Sequence, residues 1–250
     1  MLKTLLVECK KARRRHDLLV CLLAPIVLGL WAGGLQRPSA EELKNGYSSL
    51  FYSIPIIHTM VLPVLMAVLA SRLWDMETRG STLKLLYTMQ NRRTFFLGKV
   101  LFGLLEILAM VILEMGVVVL IGKFHGYTES FPREQFIYLI ACTMIVAVML
   151  FFSELLLMVV AANPLPALCV GIVGALLGIF SAFMPQIVCY FVPWGYLIPL
   201  SSYEVAEWNQ ETRLVLYGVR AHNWGLFAFT AGLVVVLFGI AWRIVQKKEV

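Results

Sequence analysis

Three glutamates, Glu106, Glu114 and Glu154, interrupt long apolar stretches of the sequence. A carboxylate in such a setting can bind a cation, accept a proton or pair with a basic group, and its cost within a membrane makes it a functional candidate. Glu106 and Glu114 are eight residues apart, about 80° around an ideal helix, so they share one broad face. Two interpretations stay open: these side chains line a pathway for a cationic peptide, or they bond between helices or are protonated at depth.

One enzymatic interpretation is a zinc protease within the membrane. Glu41 and Glu42 with His58 or His125 would supply a base and a ligand, but both carboxylates fall in a predicted outer loop and no HExxH pattern occurs. His58 lies between Pro55 and Pro63 inside an apolar run, where prolines distort a helix. We expect His58 to be a packed, hydrogen-bonded residue of a membrane helix.

The sequence gives equally little support for a catalytic serine, a cysteine-based site or a phosphate-binding loop. Ser153 and Ser181 would each need a nearby base, and the five cysteines are scattered without a CxxC pair, which indicates neither a metal site nor a disulfide framework. No GxxxxGK[ST] motif occurs, so a phosphate-binding loop of that type is absent from the sequence. We predict no catalytic residues, no metal ligands and no cofactor bound by this chain.

The composition predicts that the chain lies in a membrane. Hydrophobic residues make up 60% and charged residues only 14%, far from the balance of soluble domains. A bilayer core about 30 Å thick needs about 20 mainly apolar residues per helix, and the alternation typical of a membrane β-barrel is absent. We predict one all-α domain over residues 1–250 with six transmembrane helices, at 18–35, 51–71, 98–122, 136–162, 165–187 and 226–245.

The distribution of basic residues predicts the orientation. Of the 21 lysines and arginines, fifteen fall on the side of the termini and six on the other. Because basic residues concentrate in cytoplasmic loops, both termini are predicted to be cytoplasmic. The net charge of +6 then reflects topology and attraction to lipid, and a nucleic-acid partner has no support.

The first residues have the pattern of a helix that lies in the membrane interface. Lys3, Lys10 and Arg14 fall on one helical face. The other face is apolar and consists of Leu2, Leu5, Leu6, Cys9 and Ala12. We expect this segment to be retained, because no convincing cleavage site follows the first span.

The connection between the second and third predicted spans is long and polar. Within it Leu83, Leu86, Tyr87 and Gln90 recur at i, i+3, i+4 and i+7, which predicts a short helix. A helix of this length is marginal alone and needs a surface to pack on. That surface is either a protein partner in the cytoplasm or the bilayer itself.

The stretch 186–200 is apolar but too short to cross, and Pro193, Gly195 and Pro199 interrupt it. A crossing here would also place the basic C-terminal residues outside. We therefore predict a re-entrant outer segment between the fifth and sixth helices, anchored at headgroup level by Trp194, Tyr196 and Tyr203. Glu204, Glu207 and Glu211 follow at helical spacing, as an acidic surface for cationic peptides or a plain solvated face.

A family resemblance favours the protein partner for the polar connection. The basic interfacial helix, the six spans, Glu77-x-x-Gly80 before a short helix, Arg92-Arg93, and Lys99 at the start of the third span resemble type-2 ABC exporter permeases. In that family this loop carries the coupling helix, which docks into a groove of the ATPase subunit. The resemblance implies that ATP and magnesium bind to a partner ATPase and that a second permease copy, or a related permease, completes the transporter.

The resemblance also assigns individual residues. It places Glu77 and Gly80 where the coupling helix begins and puts Leu83, Lys84, Leu86 and Tyr87 on its docking segment. An ordinary turn glycine is the alternative for Gly80.

A finer similarity concerns the first residues. The opening Glu8-x-Lys10-Lys11-x-Arg13-Arg14 resembles lantibiotic-immunity permeases. Those are subunits in the bacterial cytoplasmic membrane that expel antimicrobial peptides. A membrane sensor or scaffold without transport activity, and an intramembrane enzyme, remain as alternatives.

Overall fold

The computed structural model describes residues 2–15, 17–33, 42–79, 91–161, 163–208 and 215–247. Helices dominate these residues, as the apolar runs predict. The helices are α1 (Leu2–Arg15), α2 (Asp17–Gly33), α3 (Gly46–Arg79), α4 (Arg92–His125), α5 (Arg133–Ala161), α6 (Pro164–Ala182), α7 (Gln186–Cys189) and α8 (Trp224–Lys247). The strands are β1 (Tyr203–Trp208) and β2 (Val215–Val219), and 3-10 turns cover Glu42–Asn45 and Pro193–Gly195.

Among the described residues, five helices are long and apolar enough to cross a membrane, namely α3, α4, α5, α6 and α8. They match five predicted spans, although α3 and α4 extend several residues beyond the predicted bounds toward the loop that joins them. The remaining predicted span corresponds to α2, whose apolar part, Leu19–Gly33, is shorter. At 1.5 Å per residue the whole of α2 is about 25 Å long, so a sixth span stays a prediction.

Contacts between helix ends define the two ends of the bundle. Arg92 Nη1 donates to the Gln246 carbonyl at 3.1 Å, which brings the start of α4 beside the end of α8. Arg72 Nη1 lies 3.3 Å from Asp17 Oδ1, so the end of α3 meets the start of α2. We call this the loop end, and the opposite end, with β1 and β2, the hairpin end. The start of α2 and the end of α8 thus lie at the same end of the bundle.

Helix α3 is central and packs against α2, α4, α5 and α6. Two glycines let α6 approach its backbone closely: a Cβ on Gly178 would lie 2.8 Å from the Thr59 carbonyl oxygen, and one on Gly171 would lie 2.9 Å from that of Pro63. Pro63 has no N–H, so the Thr59 carbonyl lacks its helical donor. Small residues at such positions are the usual means of close helix packing in membranes.

Both ends of α4 carry capping residues. The Asn91 side chain accepts a hydrogen bond from the Arg93 N–H at 3.1 Å, and Gly126 follows the helix with φ of 68°. An N-cap asparagine satisfies a free N–H group, and glycine adopts the left-handed conformation at low cost. The start of α4, and with it the end of the preceding loop, is therefore fixed at Arg92.

Aromatic side chains fill the hairpin end. Tyr47 of α3 packs edge-on against Tyr127 and Phe131, with ring centroids 5.1 Å apart in both pairs. Ser48 adds polar links, because its N–H and hydroxyl both donate to the Glu129 carboxylate. Burial raises the pKa of the Tyr127 phenol, so this side chain stays neutral at physiological pH.

The segment predicted to be re-entrant folds back onto α6. It contains the four-residue α7 and the turn Pro193–Gly195, and the Trp194 ring lies against Gly174. The proposed anchoring role is wrong for Tyr196 and Tyr203, which are 3% and 4% exposed. Their rings pack inside the protein because neighbouring aromatic residues cover them. Entry of this segment into the membrane stays a prediction.

The hairpin of β1 and β2 corrects the all-α expectation. The two strands pair antiparallel, with a register shift between Val205 and Glu207. Glu204 and Glu207 therefore lie on a strand and not on a helix. The bulge adds one residue between them, so both side chains lie on the same face of the hairpin although they are three residues apart. The same spacing would place them on one face of a helix. Glu211 lies outside the described residues.

The N-terminal segment is a helix, as predicted, and its side toward the protein includes a glutamate. Glu8 is 2% exposed and Thr4 lies against Gly98 of α4, whereas Cys9 of the predicted apolar face is exposed. The polar Glu8 faces inward because its carboxylate lies 3.7 Å from the basic Lys99 Nζ, and Val7 on the outer side is exposed.

Candidate functional site

Lys99 is the centre of a buried polar cluster at the loop end. It is 1% exposed, and its Nζ donates to the Leu73 carbonyl oxygen at 2.5 Å. The same Nζ lies 3.7 Å from Glu8 Oε2 and 5.2 Å from the centre of the Phe95 ring. Glu8 in turn accepts a bond from Lys11 Nζ at 3.1 Å. One lysine thus ties α1 and the end of α3 to the start of α4.

Aromatic packing reinforces this contact. Trp74 of α3 is 1% exposed and its ring centroid lies 6.2 Å from that of Phe95 and 6.4 Å from that of Phe96. Phe96 also packs on Trp242 of α8, at 5.9 Å. The two helix ends that flank the polar loop are therefore held together by packed rings as well as by Lys99.

The predicted coupling residues follow directly from these helix ends. Glu77 lies in the last turn of α3. Gly80, Leu83, Lys84, Leu86 and Tyr87 lie outside the described residues. The assignment of these residues to an ATPase contact stays a prediction. The loop that contains them is bounded by the end of α3 and the start of α4.

Glu114 pairs with His58 inside the bundle. His58 Nε2 lies 2.7 Å from Glu114 Oε1, and both side chains are 1% exposed. The expectation that His58 is packed and hydrogen-bonded is confirmed. The pair joins α3 to α4, which matches the inter-helix interpretation of Glu114 in this conformation.

The other two membrane glutamates are buried in different surroundings. Glu106 is 8% exposed, and its backbone carbonyl accepts from Cys21 Sγ of α2 at 3.6 Å. Glu154 of α5 is fully buried, and neither of its carboxylate oxygens has a hydrogen-bond partner among the described residues. All three glutamates point into the protein, and a role in a substrate pathway stays a prediction.

A comparison with protein families gives the class of the molecule. A family model described as ABC-2 family transporter protein matches residues 4–181, more than half of the chain. The chain belongs to the ABC-2 transporter family. It is accordingly a membrane permease component of an ABC transporter, and the family implies an ABC ATPase subunit as its partner. No curated protein matches the sequence.

The family match covers both parts of the site in this ABC-2 transporter chain. It includes Glu8, Lys99 and the loop between α3 and α4, together with the three membrane glutamates, and it ends at Ser181 in α6. The β-hairpin and α8 lie beyond the matched residues. The family is a transport component and not itself catalytic.

The side chains considered for catalysis have structural partners in this ABC-2 chain. Ser153 Oγ donates to the Leu150 carbonyl at 2.7 Å, and Ser181 Oγ donates to that of Gly178 at 2.6 Å. Within the ranges described, no three His, Cys, Asp or Glu side chains come together as a metal site would need.

Sequence reasoning missed two structural features near these sites. One is the glycine contact of α6 with α3, for which the sequence signal is Gly171 and Gly178 seven residues apart on one helical face. The other is Asn223, whose backbone N–H donates to Tyr138 Oη at 3.0 Å, while its Nδ2 donates to Tyr190 Oη at 2.9 Å. An asparagine before an apolar run is the available signal, since its Oδ1 also accepts from the Leu226 N–H.

Proposed function

We propose that this chain is a six-span permease subunit of a bacterial ABC exporter, driven by ATP that a separate subunit hydrolyses. ATP and magnesium bind to that subunit. A second permease, identical or related, completes the pathway, because six helices alone enclose one poorly. Both termini are cytoplasmic, and the loop end faces the ATPase.

The observation that carries the proposal is the construction of the loop end. Lys99 and Trp74 join the ends of α3 and α4, and Glu8 adds α1 to the same contact. A segment whose two ends are fixed to a packed helix bundle can transmit a movement of the docked ATPase to the helices. If those ends were mobile, the loop itself would absorb the movement.

The proposed contact itself is the coupling segment. Glu77 and Gly80 begin it, and Leu83, Lys84, Leu86 and Tyr87 form its docking surface. Apolar side chains at helical spacing fit a groove on a partner, and glycine permits close approach of the backbone.

The proposed cargo is an amphiphilic molecule, most specifically a cationic antimicrobial peptide of the lantibiotic type. Support comes from the opening Glu8-x-Lys10-Lys11-x-Arg13-Arg14 and from Glu106, Glu114 and Glu154. Carboxylates within the membrane are suitable partners for a cationic peptide. In the described conformation they are buried, so the pathway requires the helices to rearrange during transport.

Paired alanine substitutions test the docking role. Leu83→Ala with Leu86→Ala should lose the ATPase during purification, or lose transport, while the protein still inserts. Leu216→Ala, at an exposed leucine of the hairpin end, is the matched control and should keep both. Unchanged assembly and transport in the Leu83 and Leu86 double variant would contradict the proposed docking segment.

A further inference from the structure

The hairpin of β1 and β2 has two chemically different faces. Across the strands Tyr203 pairs with Val219, Val205 with Tyr217 and Trp208 with Val215, and paired residues share a face of a sheet. This set is the apolar face. The opposite face, which we call the acidic face, carries Glu204, Glu207, Leu216 and Gly218.

One end of the apolar face rests on α3. The Tyr203 and Phe51 ring centroids are 6.1 Å apart, and those of Tyr217 and Tyr52 are 5.3 Å apart. Tyr217 Oη also lies 3.3 Å from Ser49 Oγ. These α3 residues belong to the first two turns of a helix that is apolar enough to cross a membrane. The hairpin is therefore attached to the N-terminal end of a helix that can cross a membrane.

Three residues of the apolar face are largely uncovered, while Val215 is partly buried. Val205 is 44% exposed, and Trp208 and Val219 are each 64% exposed. A two-stranded hairpin is marginally stable by itself in water, so a large apolar surface on it needs a covering partner. The carboxylates of Glu204 and Glu207 point away from this surface.

We propose that the uncovered apolar face lies on the lipid bilayer, with the Trp208 indole in the headgroup region. Tryptophan is enriched at that depth because its ring is apolar and its N–H is polar. The attachment to the first turns of α3 places this face beside the end of a helix that can cross a membrane. The charge arrangement agrees, because both carboxylates are kept away from lipid phosphates. This inference goes beyond transport, and it holds or fails separately from the ATPase contact.

Depth-dependent fluorescence quenching tests the contact. The full chain is reconstituted in phosphatidylcholine vesicles that carry a shallow quencher on the lipid, and acrylamide is the aqueous quencher. The chain has six tryptophans, so the Trp208 signal is taken as the difference between the wild type and Trp208→Phe. We expect the lipid quencher to remove most of this difference signal and acrylamide to remove little.

The matched control places a tryptophan on the acidic face. In Trp208→Phe with Leu216→Trp, the new indole should respond to acrylamide and not to the lipid quencher. Circular dichroism verifies that each variant keeps the helical content of the wild type. Quenching of Trp208 by acrylamide alone would overturn the inference, and so would protection from both quenchers, which would indicate a protein partner such as a second copy.

Discussion

Glu8 Oε2 lies 3.7 Å from Lys99 Nζ, and both side chains are almost fully buried, at 2% and 1% exposure. The pair joins α1 to α4 beside the carbonyl of Leu73, at the point where the polar loop leaves the bundle. A buried pair of this kind adds little stability relative to apolar residues, but removal of one partner leaves an uncompensated charge.

Lys99→Met should therefore lower stability by about 1–3 kcal/mol, because Glu8 keeps only the partly exposed Lys11 as a cation and the Leu73 carbonyl loses its donor. Glu8→Gln with Lys99→Met should lose less than the lysine change alone. Thermal unfolding in detergent measures both. Lys123→Met, at an exposed lysine near the other end of α4, is the control. Equal midpoints for Lys99→Met and Lys123→Met would show that the cluster does not hold the loop end together.

Glu114→Gln separates the two roles left open for this residue. Glutamine can still bond to His58, so thermal stability should stay near that of the wild type, whereas Glu114→Leu should be less stable because His58 loses its partner. If Glu114 belongs to the substrate pathway, the glutamine variant loses transport of a cationic peptide without losing stability. Wild-type transport with Glu106, Glu114 and Glu154 all neutralised would end the pathway proposal.

For Glu154 we expect that removal of the carboxylate stabilises the protein, in contrast to Lys99→Met and Glu114→Leu. Its carboxylate is fully buried without a hydrogen-bond partner among the described residues, and such a group costs free energy. Glu154→Met should raise the midpoint of thermal unfolding, by about 1 kcal/mol in stability, and should reduce transport if the acid serves the pathway. A destabilised methionine variant would mean that the carboxylate has a structural partner.

Gly178→Ala tests the close contact of α6 with α3. The added methyl group would meet the Thr59 carbonyl oxygen at 2.8 Å, so we expect a loss of about 1–3 kcal/mol from overpacking. Gly232→Ala in α8, where the space around the added carbon is open, should be neutral or slightly stabilising. Thermal unfolding compares the two. An unchanged midpoint for Gly178→Ala would show that this interface can move apart at no cost.

The sequence was sufficient for features that depend on long apolar runs. Five helices that can cross a membrane agree with predicted spans, because the length of an apolar run is set by bilayer thickness. His58 was also interpreted correctly, since flanking prolines and apolar neighbours leave a histidine few roles other than an internal bond.

Features that depend on distant pairing could not be read from the sequence. Lys99 looks like a basic flank of a span, and only the fold brings Glu8 to it. The hairpin was missed because Glu204 and Glu207 have helical spacing, which a β-bulge reproduces in a strand. Tyr196 and Tyr203 have the composition of interfacial anchors, yet they are buried by residues far away in the chain.

Purification of the tagged protein from its native membrane in mild detergent, with mass spectrometry of bound proteins, tests the central claim most directly. The account predicts a stoichiometric ABC ATPase, together with a second copy or a related permease, and its loss when Leu83 and Leu86 are changed to alanine. An intact, folded protein that carries no ATPase would contradict the account and would leave the loop as a helix on the membrane surface.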